Sequence, residues 1–217
     1  MHEQGMPLRE RNRQLTWTSI HEAALALARE GDPTHATVEA ISARAGISKR
    51  TFFNYFPTKE DAILGIQEPT LHPEALREFH DSDDDIVTRT VQLLSRVTRS
   101  MLRPGSHAAR HELIRRFPEL RTRLHQQSNA AAQLVEPVLT EQLAAEADRE
   151  QLAGIPAEQA AQALVLLAAA VLRFAYNLSL SDNSDATDSP DADQWAAYSA
   201  ALTRAIDTYR AIFREAK

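Results

Sequence analysis

The sequence predicts an all-α protein of about nine helices, with a small three-helix head at the N-terminus and a larger helical body behind it. Three observations carry this. Nearly every long segment has apolar residues at helical spacing, and none shows sustained strand alternation. Only six glycines occur in 217 residues, and no Asn-Gly or Asp-Gly hairpin signal is present. Hydrophobic residues make up 43% and charged residues 25%, enough apolar content for a sizeable core.

In chain order, the first helix is expected from about Leu8 to Glu30, with Trp17, Ile20, Ala24 and Leu27 on one face. Gly31-Asp32-Pro33 ends it. Two short helices flank Ala45-Gly46-Ile47, and a fourth runs from Thr58 to about Gln67. Pro69 and Pro73 break the chain, which places the domain boundary between a head of residues 1–66 and a body of residues 70–217. The acidic run Asp81 to Asp85 leads favourably into a helix from Ile86 to about Leu102. Further helices are expected over His107 to Arg116, over Pro118 to about Glu146 with a kink at Pro137, over Ala157 to about Leu180, and over Asp193 to Glu215. The Ala157 helix is apolar nearly all round and must be buried in a core or a subunit interface.

Several classes of function drop out. With no cysteine there is no disulfide, thiolate nucleophile or Cys-based zinc site. His107 and His111 share a helix face, but no third metal ligand is evident, and Asp182 to Asp188 lacks the spacing of a calcium loop. No phosphate loop, nucleophile elbow or other convergent catalytic group is visible, so neither an enzyme nor a cofactor is expected. The N-terminus has no secretory pattern, and the longest apolar run, Ala163 to Leu172, falls short of the roughly 20 residues that cross a bilayer. A soluble, cytoplasmic protein without a membrane partner is expected.

The net charge of −6 argues against nucleic acid until its distribution is considered. Residues 1–65 hold eight basic and eight acidic side chains, so the whole excess lies in the body. Within the head, residues 37–56 read as a helix-turn-helix. Thr37 caps a short helix whose Val38, Ile41 and Ala45 face inward. Gly46 sits where the chain must turn with a positive φ, Ile47 plugs the angle, and Ser48 caps the second helix. Phe52 and Phe56, four apart, pack inward. Lys49, Arg50, Thr51, Phe53, Asn54 and Tyr55 remain for the outer face and flank. A basic pair in a first turn opposes the helix dipole unless it meets an anion, and recognition helices present that end to base edges in the major groove. Arg and Lys can donate to guanine, and Asn can read adenine. Thr58 and Asp61 form a capping-box pattern, with Lys59 placed to hold a phosphate. Arg44 reads as a salt-bridging surface residue. Arg9, Arg11 and Arg13 read either as an arm touching phosphate or as a solvated helix start.

The stretches Ala45-Gly46-Ile47-Ser48 and Thr51-Phe52-Phe53-Asn54-Tyr55-Phe56-Pro57-Thr58-Lys59 resemble the TetR family of bacterial regulators, over roughly residues 9 to 66. The resemblance implies a homodimer on a near-palindromic duplex operator, acting most often as a repressor. It also implies a C-terminal domain that holds a small effector, with the last two helices forming the dimer bundle. Acyl ligands of some relatives suggest an acyl or aromatic effector. Thr37, Lys49, Arg50, Thr51, Tyr55 and Lys59 match positions that commonly touch DNA. Phe53 departs from the commoner tyrosine and lacks its hydroxyl. Together with Ser48 and Asn54 these make the expected DNA-binding set. For the effector, His107, His111, Arg173, Phe174 and Asn177 are the candidates. Arg173 reads as an ion-pair or dimer contact ahead of a ligand anchor.

Overall fold

The computed structural model describes residues 7–31, 34–102, 107–145, 154–182 and 191–215. Among these, ten helices and no strand are found. They are α1 (Leu8–Glu30), α2 (Val38–Arg44), α3 (Lys49–Phe53), α4 (Lys59–Leu64), α5 (Pro73–Asp81), α6 (Ile86–Ser100), α7 (His107–Arg116), α8 (Pro118–Ala145), α9 (Ala157–Asp182) and α10 (Asp191–Glu215).

Ten helices agree with the expectation of about nine, and the additional one is α5. Pro73, expected to break the chain, occupies the first turn of this helix, where a missing N–H costs nothing and the fixed φ suits the helix. Ala75 and Phe79 are buried along one face of it. The Arg89 guanidinium lies 4.6 Å above the Phe79 ring, and its Nε donates to the Phe79 carbonyl at 2.8 Å, fixing α5 on α6. The fourth helix is also shorter than expected. It ends at Leu64, because Gly65 takes the left-handed conformation (φ 61°) and Ile66 N–H turns back to the Asp61 carbonyl at 3.1 Å.

The chain divides into two compact units that do not follow a single cut. One comprises Met1–Gln67 with Ser106–His125, the other Glu68–Gly105 with Gln126–Lys217. The chain first passes from one unit to the other between Gln67 and Glu68. α7 and the start of α8, assigned from sequence to the body, cluster with the head.

In the first unit, α1 buries Trp17, Ile20, Ala24 and Ala28 against the short helices, while Leu27 is only half-buried. Trp17 stacks between Phe56, 5.2 Å away, and His21, at 5.3 Å. In the second unit α9 packs against both α6 and α10. Val91, Leu94 and Val97 of α6 and Val165, Ala168 and Val171 of α9 are buried in its core. Asp85 caps α6 by accepting the Thr88 N–H at 3.0 Å, as the acidic lead-in suggests. The stretch Ala157–Ser179 has mean hydropathy 1.6, long and apolar enough by composition to cross a bilayer, yet only 33% of that window is buried.

Candidate nucleic-acid interface

Three side-chain caps set the geometry of the head. Thr37 Oγ accepts the Ala40 N–H at 3.1 Å, Ser48 Oγ accepts the Thr51 N–H at 3.0 Å, and Thr58 Oγ accepts the Asp61 N–H at 3.1 Å. Between the first two, Ala45 closes α2 and Gly46 takes a φ of 68°. The Ile47 N–H then reaches back to the Ser42 carbonyl at 2.9 Å, which satisfies an orphan acceptor at the helix end. Ile41, Phe52 and Phe56 are completely buried, while Val38, Ala45 and Ile47 are half-buried along the rim of the same core.

This packing decides what α3 shows to solvent. With Phe52 anchored inward, Lys49, Arg50, Phe53 and Asn54 are exposed, and Thr51 and Tyr55 are half-buried. Phe53 is 56% exposed and meets Phe52 edge-on at 5.4 Å, so a large apolar ring stands in water without a protein partner for its outer face. The Thr51 and Ser48 hydroxyls lie 2.9 Å apart. Arg50 has no hydrogen-bond or ion-pair partner among the described residues. Lys49 does: its amine meets the Glu39 carboxylate of α2, and this contact holds the exposed Glu39 carboxyl below the usual range. Lys59 is half-buried, its amine 4.0 Å from Glu60. Arg44 pairs with Glu30 at 2.8 Å, the salt-bridging role its sequence context suggests. Arg9, Arg13, Asn54 and Tyr55 line one groove of about 950 Å³ between the start of α1 and the end of α3.

Two arginines that no sequence signal singled out brace the head from within. Asp61 is 1% exposed. It receives the Arg123 Nε and Nη2, both at 2.8 Å, and the Thr58 hydroxyl, also at 2.8 Å. Asp61 thus reaches back to the Thr58 hydroxyl, where a capping box would take the Thr58 backbone N–H. Arg110, 4% exposed, donates from Nε to the Leu64 carbonyl at 2.5 Å. α4 is thus held near its N-terminus by an arginine of α8 and at its C-terminus by one of α7. Beside this joint His21 Nδ1 lies 2.7 Å from the Ala62 carbonyl. Burial, aided by the nearby Arg110 cation, pushes the His21 imidazole below its ordinary value against the raising effect of that hydrogen bond.

Of the candidates for an effector site, Arg173, Phe174 and Asn177 belong to the second unit. Arg173 and Asn177 are exposed and Phe174 is half-buried. With Thr208, Tyr209, Ile212 and Phe213 of α10 they line an open groove of about 440 Å³. His107 and His111 belong to α7 in the first unit, and their side chains lie outside the described residues.

Residues 20–64, which span the C-terminal part of α1 and all of α2, α3 and α4, match the family model described as bacterial regulatory proteins, tetR family. No curated protein matches the chain. The matched residues coincide with the caps, the turn glycine and the aromatic anchors that give α3 its outward face.

Proposed function

We propose, from the premise that this chain belongs to the TetR family of bacterial regulators and is a DNA-binding transcriptional regulator of that type, that it is a dimeric repressor released from its operator by a small effector. The observation that carries the DNA half is the orientation of α3. Phe52 is fully buried, so Lys49, Arg50, Phe53 and Asn54 stand outward. Arg50 and Lys49 are suited to guanine edges or phosphate, Asn54 to adenine, and the Phe53 ring to thymine methyls. Thr37, Ser48, Thr51, Tyr55 and Lys59 flank that set and are suited to the backbone. In this reading two heads enter successive major grooves of a near-palindromic site.

Dimerisation is supported by the outer face of α9 and α10. Leu166 is 66% exposed and Ile212 and Phe213 are each 57% exposed, apolar surface suited to a subunit contact. Arg173, Phe174 and Asn177 flank this face, so we assign them to the subunit contact rather than to the effector. The apolar surface of α9 then turns toward a second copy, and the protein is soluble and cytoplasmic. The effector half, with an acyl or aromatic compound as the suggested class, rests on family membership.

Selection from a random duplex pool tests the DNA half. A near-palindrome should be recovered. Arg50→Ala should cost about 1–3 kcal/mol on it and relax one position of the motif, whereas loss of a phosphate contact should weaken all sequences alike. Recovery of no motif from a folded dimer would remove the reading.

A further inference from the structure

We propose that Glu39 is a specificity-determining residue of the DNA interface, which holds Lys49 in the free head and disfavours any duplex that offers its carboxylate no donor. The inference deepens the reading of α3 as the DNA-contacting helix and rests on it.

The Glu39–Lys49 pair joins the first turn of α2 to the first turn of α3. Its side chains are 62% and 57% exposed, so it lies on the solvent face and not in the core. Exposed pairs of this kind add little to a fold. Their weight is felt when a third charge arrives. For Lys49 to reach a phosphate or a guanine edge it must leave Glu39. The freed carboxylate then stands beside the recognition helix, against a polyanion. Phosphates repel it at every register. In the major groove only the amino groups of cytosine and adenine donate, and cytosine N4 is the usual donor to a carboxylate. A duplex that places such an amino group there offsets the repulsion, and one that presents only acceptors does not. Discrimination of this kind comes from an unfavourable element built into the interface, as well as from the attractive contacts.

Glu30 supplies the internal comparison. It carries the same charge, is 59% exposed and also pairs with a cation, here Arg44. Yet it lies at the end of α1 and its partner at the end of α2, with neither in α3.

The test measures the affinity of the full-length protein for a random duplex and for its selected operator, across salt concentrations, in wild type, Glu39→Gln and Glu30→Gln. Thermal melts establish that each variant is folded. With Lys49 unencumbered, Glu39→Gln should neutralise one further phosphate. That steepens the log–log salt slope on random duplex by about 0.9 and tightens binding about eightfold at 0.1 M salt. The operator should gain less, so the specificity ratio narrows, and Glu30→Gln should change neither. The proposal is overturned if Glu39→Gln leaves random binding unchanged, if it tightens both duplexes by the same factor, or if Glu30→Gln gives the same gain. Wild type that binds no duplex at all would overturn the DNA-binding reading itself, before any variant is compared.

Discussion

Asp61→Asn offers the sharpest perturbation of the head. The substitution keeps the shape of the side chain and removes its charge. Asp61 is almost wholly enclosed and receives two guanidinium bonds and a hydroxyl. Removing one partner of a buried ion pair costs about 3–5 kcal/mol, because the survivor keeps its desolvation penalty without its counter-charge. Here the survivor, Arg123, is 23% exposed, so water recovers part of that penalty and the loss should fall near the lower bound, about 3 kcal/mol. For a unit of 60–100 residues each kcal/mol moves the melting temperature by about 4–8 °C, which gives a drop of about 12–24 °C. Trp17 fluorescence is a suitable probe, because only two tryptophans occur and a Trp195→Phe background leaves the signal to the head. Arg123→Gln should cost nearly as much alone, and the double variant little more than either, with a coupling of about 2 kcal/mol. A melting temperature within about 3 °C of wild type, or losses that simply add, would refute the assignment of α4 to this pair.

Gly65→Ala should also destabilise the head, by about 2 kcal/mol or more, since the left-handed conformation costs an L-residue about 1–2 kcal/mol. The added Cβ would lie 2.7 Å from His21 Cε1, forcing the ring off the Ala62 carbonyl. Urea midpoints by Trp17 fluorescence measure the loss. His21 predicts a pH dependence whose sign follows from its lowered value. Between the ordinary 6.5 and the lower folded value, the unfolded chain binds a proton that the folded head excludes. Head stability should therefore be full above 6.5 and fall as the pH drops through that window, and His21→Gln should flatten the change between pH 7.5 and 5.5. Leu166→Glu and Phe213→Glu should each yield monomers in sedimentation velocity and weaken operator binding, whereas a dimer that survives both would remove α9 and α10 from the subunit contact.

What could be read in the sequence is what lies within a few residues of its cause. Thr37, Ser48 and Thr58 bond to N–H groups three residues on, and Gly46 declares its backbone by lacking a Cβ, so the frame of the helix-turn-helix is legible in the sequence. α5 was missed because a proline at a first helical turn looks, in one dimension, like a proline that stops a helix. Asp61 and Arg123 are 62 residues apart, and no local pattern joins them. Lys49 raised a correct question about its missing anion, but the angle between α2 and α3 that brings Glu39 to it is a tertiary property. For α9, apolar nearly all round, periodicity could not say which stripe faces its own core; the exposure of Leu166 and Arg173 does.

The split course of the first unit has a bearing on how such heads can be exchanged. A recombination event or an engineered cut at residue 67 would carry away every residue of the family match. It would leave Arg110 and Arg123 behind, stranding a buried carboxylate without a cation and the end of α4 without its donor. The movable cassette is therefore not the 45-residue motif that sequence comparison sees. A graft that respects the chemistry must bring α7 and the opening turns of α8 with it, or recreate both arginines in the host.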